Sequence, residues 1–397
     1  MSDTGKTTPW LTIIGCGEDG PAGLTDASRK AIAEAKHIVG APRHLEVLGL
    51  TGETFPVPFS LMPVLEKRGE ATVMLTSGDP FWFGAGGSIA AQLSPEEYTC
   101  HSAPSVFSMI AARMGWRLEE TLCMGLHARS LSRLLPVSSD GVQIIVTLRD
   151  GAAIPALGEY LTVNGFADSH VTCFQALGGE VERREDALAR DLDTVDMTHP
   201  VAVAIACKGR GISRASGLAD ELFATDGQIT KRPVRALTLS ALAPCPNEVF
   251  WDIGAGSGSI SVEMLLAAPG SRAYSLETRA DRIANIRKNA DHFGIGHRIE
   301  VVNAHAPEGL DGLPTPDVIF IGGGLNADLF DALWAKLPEG GRLVANTVTL
   351  ESEALITQLA GKLGGDLMRF DFAQAAPLGR MRGWQAARPV VQWRVVK

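Results

Sequence analysis

Strand-like apolar runs alternate with helix-like segments along almost the whole chain, and this constrains the fold more than any other feature. The runs "LTIIG" (11–15), "ATVMLTSGDP" (71–80), "GVQIIVTL" (141–148) and "VAVAIAC" (201–207) read as buried strands. "LTDASRKAIAEAK" after the first run reads as a helix, with Thr25 or Asp26 as its cap. Alternation of this kind predicts an α/β architecture. The rhythm stops at "GRGISRASGLADELFATDGQITKRP" (209–233), which holds no apolar run long enough for a strand. We expect a boundary there, giving domains at 9–208 and 209–397. A second series follows, with strands expected in "VFWDI", "RAYSLE", "RIEVVN", "DVIFI" and "RLVANTV". At the end, "DLMRFDFA" and "VVQWRVV" are joined by a Pro-, Gly- and Arg-containing connection with no helical periodicity, so an antiparallel pair at a sheet edge is expected.

With 397 residues, 45% hydrophobic and 20% charged, the chain can bury sizeable cores without staples. Its six cysteines form no CxxC pair, so neither a zinc ribbon nor a disulfide framework is suggested, and no metal is expected. The start "MSDTGKTTPW" does not read as a signal peptide, and no apolar run is long enough to span a bilayer. The expectation is a soluble, cytoplasmic protein that does not engage a membrane. A net charge of −9 argues against a nucleic-acid partner.

The stretch "VFWDIGAGSGSISVEML" (249–265) places a glycine-dense loop between a strand and a helix, at the strand end where open α/β sheets bind ligands. A P-loop would need Gly-Lys-Ser/Thr, and Gly258 is followed by Ser259 and Ile260. A dinucleotide fingerprint would need Gly or Ala where Ser259 stands. Five parallel strands closed by an antiparallel hairpin also differ from the dinucleotide dehydrogenase plan. A GxGxG loop preceded by Asp252 resembles the first motif of class I S-adenosylmethionine (SAM) methyltransferases. Gly254, Ala255, Gly256, Ser257 and Gly258 are therefore candidate cofactor contacts, and Glu277, ending the second strand, is placed to accept both ribose hydroxyls. A solvated charge is the bland alternative for Glu277.

The segment "DGQITKRPVRALTLSALAPCPNEVFWDIGAGSGSISVE", with "NAHAPEGL", "DVIFIGGG", "LPEGGRLVANTVTLES" and "PLGRMRGW", resembles the decarboxylating precorrin methyltransferase domains of cobalamin biosynthesis, the CbiT type. That resemblance implies Thr230 as a cofactor contact and Lys231 near the substrate, although a lysine at a helix start is usually solvated. The family's Gly-Asp-Ala-Pro-Glu appears here as Ala304-His305-Ala306-Pro307-Glu308, so an adenine contact falls to the backbone of Ala306, and His305 reads as structural or substrate-facing. In the first half, "IIGCGEDGPAGLT", "LTSGDPFWFGAGGSIA", "APSVFSMIAARMGW" and "MGLHARS" resemble the CbiE-type tetrapyrrole methylases. These class III enzymes bind folded SAM between two α/β lobes without a Rossmann glycine loop. Gly78, Asp79 and Pro80 would present backbone and a carboxylate to the cofactor. The family's Pro-Gly-x-Ser-Ser appears as Pro104-Ser105-Val106-Phe107-Ser108, with Ser105 the candidate contact, and its Glu-x-Leu-Gly as Gln175-Ala176-Leu177-Gly178.

The two halves in this order resemble the fused CobL-type family of decarboxylating precorrin-6Y C5,15-methyltransferases. The resemblance implies an N-terminal class III tetrapyrrole methylase fold followed by a class I Rossmann-like fold, with one SAM site in each. The substrate is a tetrapyrrole, and the chain is expected to form a homo-oligomer. The first domain would methylate C5; the second would methylate C15 and remove a ring C acetate carboxylate, giving precorrin-8X. The nucleophile is an electron-rich macrocycle carbon, so near-attack placement is the main catalytic task, worth roughly 7–11 kcal/mol. A conjugated imine of the macrocycle can absorb the electrons of decarboxylation. Lys231, His305 and Asn346 are candidate general acids. Arg380, Arg382 and Arg388, and in the first domain His127 and Arg129, are candidates for holding substrate carboxylates. The rival readings are a class I methyltransferase acting on RNA or another small molecule, a nicotinamide dehydrogenase, and a non-catalytic SAM-binding regulator.

Overall fold

A computed structural model describes residues 9–397, so most of the N-terminal segment read above for a targeting signal lies outside the described residues. The described chain divides into two compact units, residues 9–131 with 138–210, and residues 211–397 with the short segment 132–137.

The first unit holds two α/β lobes. Its first sheet contains β1 (Leu11–Cys16), β2 (His37–Gly40), β3 (Glu53–Thr54), β4 (Thr72–Ser77) and β5 (Tyr98–His101), in the order β3-β2-β4-β1-β5, all parallel. Strand β1 is buried at five of its six positions, as a strand covered on both faces must be. The helix Asp26–Glu34 begins at Thr25, whose hydroxyl accepts from the Ser28 amide at 3.1 Å. A Cβ on Gly15 would lie 1.9 Å from the Gly78 carbonyl oxygen, so only glycine lets the ends of β1 and β4 approach this closely. The second sheet contains β6 (Leu122–Gly125), β7 (Gln143–Thr147), β8 (His170–Gln175), β9 (Arg183–Leu188) and β10 (Val201–Ala206), in the order β6-β7-β10-β8-β9. Only β6 and β7 are parallel in it.

In the second unit, β11 (Val249–Ile253), β12 (Arg272–Leu276), β13 (Ile299–Val302), β14 (Val318–Ile321) and β15 (Arg342–Thr347) are parallel. The sheet ends in two antiparallel strands, β16 (Asp366–Phe370) and β19 (Val390–Val396), and its order is β13-β12-β11-β14-β15-β19-β16. The expected terminal pair is present, and the last strand takes the inner position because "VVQWRVV" is apolar enough to be buried there. The connection between them is itself a hairpin, β17 (Ala373–Leu378) with β18 (Met381–Ala386). Apolar clusters cover both faces of the large sheet, one around Phe250, Leu265 and Phe293, the other around Trp251, Phe330 and Trp393.

The strand-free stretch at 211–231 is bolted to this unit electrostatically. Fully buried Arg235 pairs with Glu263 at 2.8 Å and Asp220 at 2.7 Å, and its guanidinium donates to the Leu218 carbonyl. Glu263 also accepts from the amides of Gly217 (2.6 Å) and Leu218 (3.0 Å). Removing one partner of such a buried pair typically costs about 3–5 kcal/mol.

Candidate functional site

The glycine loop of the second unit leaves β11 with Gly254, Gly256 and Gly258 at φ of 68°, 59° and 71°. A Cβ on Gly256 would meet nothing within 4 Å, so that face of the loop opens onto free space rather than onto packed protein. The Gly256 amide donates to Glu277 Oε2 at 3.0 Å, and Glu277 Oε1 accepts from the amides of Thr278 (2.8 Å) and Arg279 (3.1 Å). Glu277 is only 7% exposed, so it is not a solvated strand-end charge. A carboxylate offers about four acceptor sites, which leaves capacity for hydroxyl donors beyond these three amides.

Gly254, Glu277, His305, Ala306 and the Gly322–Gly324 run line one cavity of about 420 Å³. His305 is exposed at its rim, so it is not a buried structural histidine. Beneath the loop, Asp252 Oδ2 accepts from Ser261 Oγ at 2.6 Å, while Oδ1 is buried without a partner. Burial, with a smaller contribution from the Glu277 charge, pushes the Asp252 carboxyl up to about 7.

Other sequence candidates stand outside that lining. Ser257 is buried and its carbonyl accepts from Asn289 Nδ2 at 2.8 Å, which fixes the loop to the helix Ala280–His292. Gly258 caps the helix Ser259–Ala267, and Ala255 accepts from the Gly258 amide at 2.8 Å. The Thr230 carbonyl accepts from Arg235 Nη1, and Lys231 is an exposed N-cap residue with Nζ 3.8 Å from Asp220. The same run reaches the cavity through Gln228, whose Oε1 accepts from cavity-lining Arg282 at 2.7 Å. Asn346 has both ends engaged, donating to Thr238 Oγ1 (2.7 Å) and accepting from Gln392 Nε2 (2.9 Å), so its amide is held in a side-chain network. Arg380, Arg382 and Arg388 are exposed on and after the hairpin.

The first unit carries a larger cavity, about 820 Å³, between its two sheets. Gly78, Asp79, Ser105 and His127 line it; Pro80 and Arg129 do not. Pro80 is buried, its carbonyl accepting from the Gly86 amide at 2.9 Å, so it shapes the turn from below. Asp79 Oδ1 accepts from the Phe81 amide at 2.8 Å, and the Ser105 hydroxyl caps the helix Val106–Met114 through the Ser108 amide at 3.1 Å. Phe59, Trp82 and Phe83 supply an apolar wall and are 57%, 49% and 45% exposed. Phe83 sits at φ 60°, a conformation costing a bulky residue on the order of 1–3 kcal/mol and found mainly at ligand sites.

Comparison with known proteins follows this division. Residues 10–193 match the tetrapyrrole (corrin/porphyrin) methylase family, and residues 221–397 match a precorrin methyltransferase domain. A precorrin-6Y C(5,15)-methyltransferase [decarboxylating] of Sinorhizobium sp. is 43% identical over 99% of this chain and 97% of its own length. The chain belongs to the decarboxylating precorrin-6Y C5,15-methyltransferase family. A probable cobalt-precorrin-6B C(15)-methyltransferase (decarboxylating) of Pyrobaculum calidifontis is 36% identical over 44% of this chain and 92% of its own length. The crystal structure of the C-terminal domain of a precorrin-6Y C5,15-methyltransferase from Rhodobacter capsulatus is 55% identical over 47% of this chain and all of that one, with a TM-score of 0.46.

Precorrin-6Y C5,15-methyltransferases depend on SAM, and the second-unit cavity fits such a group. Gly254 and Glu277 line it, Glu277 with acceptor capacity to spare, and the adjoining loop face at Gly256, outside that lining, is open. Its volume lies in the usual range for small-ligand sites. Sequence reasoning missed Arg282, the Gly322–Gly324 run and Asn326 as cavity residues, although "IGGG" after a strand was a visible signal. In the first unit it missed Glu18 and Ser77, which lie within the quoted motifs, and Arg43, His44 and Phe59, which carry no local motif.

Proposed function

We propose that this chain methylates precorrin-6Y at carbons 5 and 15 and removes one carboxylate as carbon dioxide, as a step of cobalamin biosynthesis. The observation that carries this reading is the pairing, in one chain of this family, of an open glycine loop held by buried Glu277 with a separate aromatic-walled cavity at the Gly78-Asp79 turn. SAM supplies an electrophilic methyl group to each carbon when bound. One SAM site is assigned to each unit. In the second, the backbone at Gly254 and the open loop face at Gly256, with Glu277 and Ala306, would hold it; in the first, Gly78, Asp79 and Ser105 would.

The first unit is assigned C5, and the second C15 together with loss of the ring C acetate carboxylate, yielding precorrin-8X. The likeness of the second unit to a relative named for the C15 reaction supports this division. The chain's own residues have to orient a flat, polyanionic macrocycle and exclude water from it. In the second unit Lys231, exposed at the helix start, and His305, exposed at the cavity rim, are assigned to this task. Arg380, Arg382 and Arg388 are assigned to substrate carboxylates. A cytoplasmic location and a homo-oligomeric state complete the reading; exposed Leu378, Met381 and Trp384 on the hairpin support the latter.

The test is mass spectrometry of precorrin-6Y incubated with SAM and the full chain. A product with two more methyl groups and one carbon dioxide fewer is expected. Recovery of unchanged substrate, with SAM shown to bind by calorimetry, would overturn the assignment in favour of a non-catalytic SAM-binding protein.

A further inference from the structure

The inference below rests on the assignment of C5 methylation to the first unit. Methylating a ring-bridging carbon that bears one hydrogen forms a C–CH3 bond and breaks the S–CH3 bond of the sulfonium. The S–C electron pair stays on sulfur as a neutral thioether, and the macrocycle becomes a cation. Neutrality returns when the hydrogen on that carbon leaves as a proton and its electron pair rejoins the conjugated system. Nothing is oxidised or reduced, but a base is needed.

The cavity of the first unit offers few free bases. Glu18 is paired with the Arg43 guanidinium. Asp79 is tied to the Phe81 amide. The Cys16 thiol donates to the Thr76 carbonyl at 3.1 Å, and burial pushes it up to about 11. His199 Nδ1 lies on the Arg149 carbonyl at 3.0 Å, and both His199 and His127 are exposed to water. His44 differs from these. It is 7% exposed, lines the cavity, and its Nε2 lies 2.9 Å from Ser77 Oγ. Ser77 is exposed on the cavity wall and immediately precedes the Gly78-Asp79 turn assigned to the methyl donor. His44 Nδ1 is buried without a hydrogen-bond partner; Nε2 faces Ser77 Oγ and, less closely at 3.3 Å, Arg43 Nη2, which also donates to Ser77 Oγ at 3.4 Å, so Ser77 is the hydroxyl that engages this ring and Arg43 holds the pair together.

We propose that Ser77 and His44 form the proton acceptor for methylation at C5. Ser77 takes the proton from the methylated carbon while its own hydroxyl proton passes to His44 Nε2. Burial first, then the Arg43 charge, and in smaller part His199, hold His44 down at about 4, with the Leu75 backbone pulling the other way. The imidazole is therefore neutral and ready to accept at neutral pH, and the imidazolium formed gives its proton to water when product leaves. A low-affinity base suffices, because a cationic macrocycle carbon is a strong acid. Ser77 is the group that meets the substrate; His44 acts through it as a positioning and proton-accepting residue.

The test uses the full chain with SAM and precorrin-6Y, unlabelled or deuterated at C5, and locates methyl groups in the product by NMR. His44→Gln keeps a hydrogen-bonding group beside Ser77 but removes the base. It is expected to slow C5 methylation by about 100-fold, leave SAM affinity within about twofold, and reveal a primary isotope effect at C5 that the wild type lacks. Added imidazole is expected to restore part of the rate to His44→Ala. Ser77→Ala, a change at an exposed site that does not threaten folding, is expected to show the same isotope effect. Wild-type C5 methylation in both His44→Gln and Ser77→Ala overturns the proposal. So does a slowed rate with neither isotope effect nor imidazole rescue, which would mark a structural role. If the methyl missing from the product is the one at C15, the assignment of carbons to units fails instead, and the two failures are told apart by position.

Discussion

The two cavities are built by opposite means. The second unit's cavity draws heavily on glycine backbone, Gly254 and the Gly322–Gly324 run, around the buried carboxylate of Glu277, with Arg282, His305 and Asn326 among its other polar lining. The first unit's site is made of side chains, aromatic at Phe59, Trp82 and Phe83 and basic at Arg43, His127 and Arg149, drawn from segments between Cys16 and Ala202. A backbone site tolerates change in its surroundings but not in the few atoms that form it. A side-chain site spreads its binding over many groups and is expected to lose affinity in small steps.

The sharpest way to break this contrast is Gly256→Val. The residue is left-handed at φ 59°, which costs a β-branched residue about 1–2 kcal/mol, and the new side chain would occupy the open cradle. SAM binding at the second unit is expected to fall at least about 100-fold, the equivalent of roughly 3 kcal/mol. Calorimetry should then show one class of site where two are expected for the wild type. Loss of both classes would mean that the sites are not independent. Glu277→Gln probes the same pocket more gently. A hydrogen bond to a charged acceptor contributes about 1.5–3 kcal/mol, so a 10- to 100-fold loss of SAM affinity is expected, with C15 methylation falling and C5 methylation persisting. An unchanged affinity would remove Glu277 from the site.

The same contrast explains what could be read from the chain. Strands β11 to β15 and the glycine loop are local features, where an apolar run, a turn and a cap lie within twenty residues, so their pattern survives in one dimension. The final antiparallel pair was visible for the same reason. The hairpin β17–β18 was not, because exposed strands bury no face and leave no alternation, and Pro377 speaks against a strand. Short strands of the first unit owe their pairing to their neighbours, His37–Gly40 to β4 and Glu53–Thr54 to β2, not to their own composition. Gly78 and Asp79 were legible as a turn, whereas Arg43, His44 and Phe59 become site residues only when β1, β2 and β4 converge. Asn346 looked available on the sequence because its partners, Thr238 and Gln392, are 108 and 46 residues away.

Asp252 offers a smaller effect with a definite sign. Its folded carboxyl is raised to about 7, against an ordinary value near 4 in the unfolded chain. Between those values the folded state holds a proton that the unfolded state has released. Stability of the second unit is therefore highest below about pH 4 on account of this group and declines as pH rises to about 7. Asp252→Asn removes the titration. Relative to wild type, the variant should gain about 2 kcal/mol between pH 4 and pH 8, after discounting for relaxation around the buried charge. Hydrogen exchange of the Val249–Ile253 amides, measured without SAM, reads this difference. A pH-independent difference would show that Asp252 is ionised throughout, and that the loop tolerates the unpartnered Oδ1 as a charge.

Lys231→Ala is expected to have the smallest effect, and it tests whether any side chain outside the backbone cradle helps the second unit hold its substrate. Lys231 is 57% exposed and sits 3.8 Å from Asp220, a surface geometry worth no more than about 1 kcal/mol to folding. The Thr230 carbonyl and Arg235 keep the helix start in place without it. Stability and SAM affinity should therefore be unchanged within error. If the ammonium meets a macrocycle carboxylate, the KM of C15 methylation rises by up to about fivefold at constant kcat, since a mobile exposed cation contributes about 1 kcal/mol of uniform binding. A fall in kcat at constant KM would instead make Lys231 a proton donor in the second half-reaction. An unchanged KM and kcat would leave recognition in that unit to Arg380, Arg382 and Arg388.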